Sequence, residues 1–432
     1  MDRFFEILKQ IFSTKNLRNK IFFTILMLVV VRIASHITIP GADLEKIKIL
    51  LSRQNEGGLF SVFSLLTGGA MAHFSIILMG LTPYINASII MQLLSVILPS
   101  IENLKKEGEI GQKKINQYTR ILTVPLAFLQ SYGMILYINN FGGVGEIVST
   151  APKIILPMML IVTAGTIFTM WIGELITEKG IGNGISLLIF ASIVSTVPTQ
   201  VAGVFKSAGG FLSPIFLALL FVTIVLIIFV IYVSEADRRV PIIYSSKKSG
   251  VSQKSFLPLK INQAGMIPII FAMSIISVPS ILSRFFERSN SEILQKIGNF
   301  SKINLNPSDP TIFYNFVYAA LIFLFVFFYV SIVFEPKKIA ENIQKRNGYI
   351  PGYRPGAETE KFLEKTTDRL CFWGGTFLAF VAIVPMIFKN FIGGNSVSLF
   401  ISGAGIIIVV GVVLDLIRQI NAQLVMHDYD KL

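Results

Sequence analysis

The sequence predicts an all-α integral membrane protein, with ten transmembrane helices arranged as two inverted five-helix halves. Three observations carry that prediction. Ten apolar stretches, approximately 21–37, 74–98, 118–138, 154–175, 185–204, 214–233, 264–286, 312–334, 371–388 and 400–417, alternate with polar connectors. A helix needs roughly 20 apolar residues to cross about 30 Å of hydrocarbon at about 1.5 Å per residue, and these runs are of that order. The basic residues gather in every second connector: 27 of the 38 Lys and Arg fall within 1–20, 98–120, 176–184, 234–262, 335–370 and 415–432. The positive-inside rule then places both termini in the cytoplasm. Finally, a hydrophobic fraction of 53 % with only 15 % charge excludes an ordinary soluble domain.

The elements follow in order. In the first nineteen residues, Phe4, Phe5, Leu8, Ile11 and Phe12 recur at helical spacing, while Arg3, Glu6, Lys9 and Lys15 fall mostly elsewhere on the wheel. Such a helix is expected to lie in the membrane interface. No small-x-small cleavage site follows the first span, which is expected to stay as an anchor. Next comes a glycine-flanked apolar run at 59–66, too short to span. It reads either as an interfacial patch or as a movable element folded back into a cavity, since non-helical backbone at membrane depth needs protein or water around it. Pro83, Pro125, Pro157 and Pro268 interrupt later spans, as do Gly403, Gly405 and Gly411. Ten spans divide as five plus five, and an odd number per half forces the halves into opposite orientation. The segment 198–214 is the expected hinge, giving halves 1–202 and 203–432. The connectors are too short for a separate soluble domain, and 234–262 and 335–370 have room for a hairpin or a helix pair. A single cysteine, Cys371, excludes an internal disulfide and reads as a small apolar residue at a span boundary.

The net charge of +13 is mostly an orientation signal, which leaves a docking role open for the two most basic loops. Catalytic chemistry is missing from the pattern. No Gly-Lys pair forms a phosphate-binding loop, and His36, His73 and His427 are too scattered for a metal motif. Arg32, Glu174, Asp415 and Arg418 all lie near span ends, whereas ion-coupled carriers and membrane proteases usually need ionisable groups at the midplane. No catalytic site, metal or cofactor is expected. A passive, gated channel is the first reading, a secondary small-molecule transporter with inverted repeats the second, and an intramembrane enzyme the third.

The most specific string is Gly348-Tyr349-Ile350-Pro351-Gly352-Tyr353-Arg354-Pro355-Gly356, preceded by Glu335-Pro336-Lys337-Lys338. Alone it is a tight turn. In this context it resembles the last large cytoplasmic loop of the SecY/Sec61 α-subunit family of protein-conducting channels. Further strings agree in the right order: Gly68-Gly69-Ala70, Leu81-Thr82-Pro83-Tyr84-Ile85-Asn86, Lys105-Lys106-Glu107-Gly108, Gly180-Ile181-Gly182-Asn183-Gly184, Ala236-Asp237-Arg238-Arg239-Val240-Pro241 and Pro258-Leu259-Lys260-Ile261-Asn262. One departure is Ser402-Gly403-Ala404-Gly405, where the family usually shows Gly-Gly-Thr.

The resemblance implies an hourglass-shaped central pore with an apolar waist at Leu81, Ile85, Ile189, Ile193, Ile270 and Ile408, with Ile267 as a further member. It implies a plug at 59–67, sealed by Phe60, Phe63 and Leu66 and swung on Gly68 and Gly69. It also implies a lateral gate between the second and third spans on one side and the seventh and eighth on the other. Arg238, Arg239, Lys247, Lys248, Tyr353 and Arg354 become docking residues for the SecA ATPase or for ribosomal RNA phosphates. SecE and SecG subunits, signal sequences, secretory polypeptides and lipid are the further partners implied, in a bacterial cytoplasmic membrane.

Overall fold

The computed structural model describes residues 14–41, 67–71, 73–139, 151–208, 213–245, 252–287, 291–305, 311–392 and 402–429. The expected interfacial helix up to residue 13, the plug residues Phe60, Phe63 and Leu66, and the basic residues Lys247 and Lys248 lie outside them.

The chain opens with α1 (Lys15–Ala34). Lys20 and Arg32 bound its apolar run and leave only 11 uncharged residues between them. After α1 the backbone turns and pairs with a later segment. The Ile39 amide donates to the Phe74 carbonyl (3.0 Å), the Ile76 amide donates to the Ile37 carbonyl (2.9 Å), and Thr38 faces Ser75 antiparallel. These bonds stitch the two ends of the 42–66 segment into a neck. Ile39, Met71, Phe74 and Leu78 of the neck bury themselves against α4 (Glu109–Asn139) and α5 (Pro152–Lys179) in a cluster of their own.

The expected span 74–98 is therefore corrected. Residues 74–81 form turns, and the helix α2 runs from Thr82 to Ile97. Pro83 explains the start: at the second helical position its missing N–H is no loss and its fixed φ suits the first turn. A sharp break of 98° then separates α2 from α3 (Pro99–Lys106), again with proline at the first position.

Beyond α5 come α6 (Gly184–Ala208) and α7 (Pro214–Glu235), the latter N-capped by Ser213 Oγ, which accepts from the Phe216 amide at 3.2 Å. Thus α6 continues through Pro198, and the expected boundary at 202–203 falls in its last turns. Then follow α8 (Ile267–Glu287), α9 (Glu292–Asn304), α10 (Ile312–Val333) and α11 (Pro336–Lys345). The last two helices are α12 (Ala357–Ile392) and α13 (Gly403–Tyr429). At the departure from the family pattern, Ser402 Oγ accepts from the Gly405 amide (3.1 Å) and caps α13.

Among the described residues, six helices are long and apolar enough to cross a membrane, or seven if the bent pair α2–α3 counts as one span. The chain is a multi-pass membrane protein. The expected ten spans exceed this set by α1, α4 and α8, helices of 20, 31 and 21 residues. One large apolar cluster unites α2, α5, α6, α7, α8, α10, α12 and α13.

The fold is also not purely helical. β1 (Asp237–Ser245) and β2 (Ser252–Lys260) form an antiparallel hairpin, and β3 (Gly348–Tyr349) pairs on the other edge of β1. Alternate residues Val240 and Ile242 point to one face, where they join Leu259, Ile343, Ile350, Leu363 and Leu370 in a buried cluster. The two longest connectors expected to be cytoplasmic are thus one folded platform rather than two loops.

Candidate functional site

All six predicted waist residues are buried, between 1 % and 8 % exposed, and all belong to the same apolar cluster. Leu81 and Ile85 sit at the start of α2. Ile189 and Ile193 are four apart on α6 and so share a face. Ile270 lies in the first turn of α8, and Ile408 in the second turn of α13. Ile267 is partly buried and packs against the same cluster. The helices meet in pairs, α2 on α8 and α6 on α13. Among the described residues the buried side chains include hydroxyls of serine, threonine, Tyr314 and Tyr318 but no charged group.

Next to this waist is a cavity of about 50 Å³. Leu81, a waist residue, lines it, together with Leu188 of α6, Thr67, Gly68 and Gly80 of the neck, and Arg32 of α1. The Arg32 guanidinium donates from Nη1 to the Gly68 carbonyl (2.6 Å) and to Ser195 Oγ of α6 (3.2 Å). Gly68 has φ +65°, and a Cβ there would lie 3.0 Å from the Ser192 Cα, so only glycine fits both the conformation and the space. Sequence reasoning treated Arg32 as an end-of-span charge. The available signal was a cation inside an apolar run, which needs a partner; its partner in sequence could not be named, because Ser195 is far away along the chain.

On the platform, Arg238 and Arg239 are exposed on β1, and Arg239 pairs with Asp237 at 3.3 Å. The Pro–Gly turn is tied from within. The Tyr353 amide donates to the Ile350 carbonyl (3.1 Å), and the Arg354 amide donates to the Glu358 carboxylate (3.0 Å). The Arg354 carbonyl accepts from Thr359 Oγ1 (2.9 Å), and the Tyr353 ring stacks 4.3 Å from Phe362. With its backbone so fixed, Arg354 is exposed. The structure brings Arg238, Arg239 and Arg354 onto one folded unit through the β1–β3 pairing of Tyr244 with Gly348.

The chain is similar to known proteins in sequence and in fold. The SecY family profile matches residues 75–417. The chain is 39 % identical over 435 residues to the protein translocase subunit SecY of Aquifex aeolicus (strain VF5), covering 98 % of both chains. It is also 39 % identical over 434 residues to that of Staphylococcus aureus (strain NCTC 8325 / PS 47), again over 98 % of each. In fold it is similar to a solved protein-conducting channel, with a TM-score of 0.63 at 18 % identity, over 94 % of this chain and 92 % of that one. Sec61 in the canine ribosome–channel complex gives a TM-score of 0.60 over the same shares, also at 18 % identity. With a profile match across most of its length and relatives aligned over nearly all of it, this chain belongs to the SecY family, whose members are channel subunits and not enzymes.

Proposed function

We propose that this chain is the channel-forming subunit of a protein translocase, passing unfolded secretory polypeptides across the membrane and releasing apolar segments sideways into lipid. The observation that carries this reading is the burial of six aliphatic residues from α2, α6, α8 and α13 in one cluster beside a small cavity. A closed ring of branched aliphatic side chains dewets a constriction and stops ions. It also yields around an extended chain without offering hydrogen bonds that would stall it. An ion-coupled transporter would want charged groups at mid-depth, and the family assignment does not favour it.

In the full proposal, ten spans form two inverted halves, 1–202 and 203–432, around an hourglass pore. Residues 59–67 form the plug on the outer side of the ring, with Phe60, Phe63 and Leu66 sealing it and Gly68 and Gly69 as the hinge on which it swings. The lateral gate separates α2 and α4 from α8 and α10. An emerging segment gains roughly 0.3–0.6 kcal/mol for each central Leu, Ile, Val or Phe it moves into the bilayer, so sideways opening lets partition decide between insertion and export. The basic platform, with Arg238, Arg239, Lys247, Lys248, Tyr353 and Arg354, is the docking face for SecA or for ribosomal RNA phosphates. SecE and SecG are the small partner subunits, and the chain sits in the bacterial inner membrane with cytoplasmic termini.

Reconstitution tests the reading. Vesicles holding this chain and its small subunits, given SecA, ATP and a precursor protein, should accumulate protease-protected precursor. Concentrative uptake of a labelled small solute without precursor protection would instead support the transporter.

A further inference from the structure

We propose that α9 is a membrane-surface anchor: it lies along one face of the bilayer and sinks a strip of Ile293, Ile297 and Phe300 into the lipid. The proposal rests only on the chain crossing a membrane and stands apart from the channel reading.

With 13 residues, α9 is about 20 Å long at about 1.5 Å per residue, too short to cross about 30 Å of hydrocarbon. At about 100° per residue its side chains sort into three strips, each about 60° wide. Leu294, Gly298 and Ser301 form the first, which faces protein. Gly298 and Ser301 are buried, Leu294 is half-buried, and the helix packs along α8. Glu292, Gln295 and Asn299 form the second, which is polar and exposed. Ile293, Ile297 and Phe300 form the third, with Ile303 and Lys296 at its border with the polar strip. The four apolar side chains are between 47 % and 71 % exposed. Lys296 pairs with Glu292 at 3.0 Å, so its charged head stays on the polar side while its stem lies beside the isoleucines. A helix resting on protein in water needs two faces, one buried and one polar. The third face of α9, apolar and exposed, asks for a third medium.

The position of α9 identifies that medium. Thr311 Oγ1 donates to the Asn304 carbonyl at 3.0 Å, accepts from the Tyr314 amide at 3.1 Å, and so joins the end of α9 to the cap of α10. The Phe300 ring meets Phe313 edge-on, with centroids 5.7 Å apart. These contacts pin α9 to the first turn of α10, a helix long and apolar enough to span, at the end opposite the platform. There Ile312 and Phe316 are 89 % and 70 % exposed, so the strip on α9 runs on into the outward apolar face of a span. The end of a span is the level of the headgroup boundary, where an amphipathic helix buries its apolar face roughly 5–10 Å deep. A protein partner fits less well. The four side chains offer at most roughly 500 Å², short of the roughly 800 Å² per partner that a stable interface of standard size buries. Because α9 connects α8 to α10, its seat in the lipid fixes the ends of both helices relative to the membrane surface.

The test uses the full chain with its small subunits, in vesicles of phosphatidylethanolamine and phosphatidylglycerol. Cys371, the single cysteine, is replaced in Cys371→Ala, and an environment-sensitive fluorophore is attached through Ile297→Cys or, as the polar-strip control, through Asn299→Cys. Two quenchers are compared: lipids spin-labelled near the headgroup or near the chain end, and iodide in the water on both sides. The label at 297 should be quenched by the headgroup-proximal lipid about twofold more than the label at 299, and less by the chain-end lipid, as a shallow interfacial seat requires. Iodide should show the reverse order, quenching 299 more than 297. Recovery of the small subunits and the thermal midpoint report assembly; if Ile297→Cys fails to assemble, Ile293→Cys and Phe300→Cys give the same reading. Equal iodide quenching at 297 and 299, without lipid quenching, overturns the anchor by placing the strip in water. A label at 297 that neither quencher reaches also overturns it, by showing the strip covered by protein, a second copy or a small subunit. Either result leaves the channel reading intact, since that reading is judged by precursor protection.

Discussion

Lys105 Nζ donates a hydrogen bond to the carbonyl of Ile332 at 2.8 Å, which ties α3 to the last turn of α10. A cation at a helix C-terminus meets carbonyls that have no intrahelical partner and the negative end of the helix dipole. Burial lowers the Lys105 pKa, the effect of Glu335 works the other way, and Lys338 adds to the lowering. Because α3 follows α2 and α10 lies across the proposed gate, this bond is a clasp over one end of the seam. Lys105→Met keeps the stem and removes the donor. It should shift the gate towards opening by about 1 kcal/mol, read as a roughly fivefold gain in insertion of a marginally apolar test segment. Unchanged insertion would remove the clasp from the mechanism.

A second prediction concerns the platform. A Cβ at Gly348 would lie 2.7 Å from the Tyr244 ring and 3.0 Å from Ile343. Gly348→Val should therefore cost about 1–3 kcal/mol through overpacking and loosen both basic connectors together. Hydrogen exchange at Val240, Ile242 and Ile350 should accelerate in parallel. Faster exchange in only one connector would show that they fold independently.

The exposed tip of the platform gives a third. The Arg354 backbone is held by Glu358 and Thr359, so the side chain can change without unfolding the turn. Arg354→Glu should depress SecA-driven export by an order of magnitude or more, as expected when a docking cation is reversed, with normal yield of the complex. Normal export by this variant would exclude the turn from docking.

The neck supplies a pH dependence. The His73 ring stacks 4.8 Å from His36. Burial pushes the His73 pKa below its usual 6.5, and the nearby His36 and Arg32 push it the same way. A histidine favoured in its neutral form contributes its full share of stability above pH 6.5, and that share drains away as pH falls through the lowered folded value. Cooling of the thermal midpoint between pH 7.5 and pH 5 should be smaller for His73→Gln than for the unmodified chain. Equal losses would contradict the assignment.

What the sequence revealed and what it hid divide along one line, the separation of interacting residues. Runs of apolar residues made α5, α6, α7, α10, α12 and α13 legible, because hydropathy is a local property. The waist residues were legible only through motif resemblance, since an isoleucine facing a pore and one facing lipid read alike. Hidden were the pairings between distant residues: Ile39 with Phe74, Tyr244 with Gly348, and Arg32 with Gly68 and Ser195. The alternation in Val240-Pro241-Ile242 hinted at a strand, but its partner β3 is only two residues long and lies beyond four intervening helices. Likewise, the start of α2 was misplaced because residues 74–81 are as apolar as the helix they precede.

The central claim is that Leu81, Ile85, Ile189, Ile193, Ile270 and Ile408 enclose a moving polypeptide. The most direct measurement places a photo-crosslinking amino acid at Ile85, Ile193, Ile270 and Ile408 in turn, and at the exposed Phe221 and Ile228 of α7 as controls, with a precursor stalled in transit. All four ring positions should crosslink to the same short stretch of the stalled chain, and the two controls should label lipid. Crosslinks from the controls but not from the ring would show that the polypeptide takes another path.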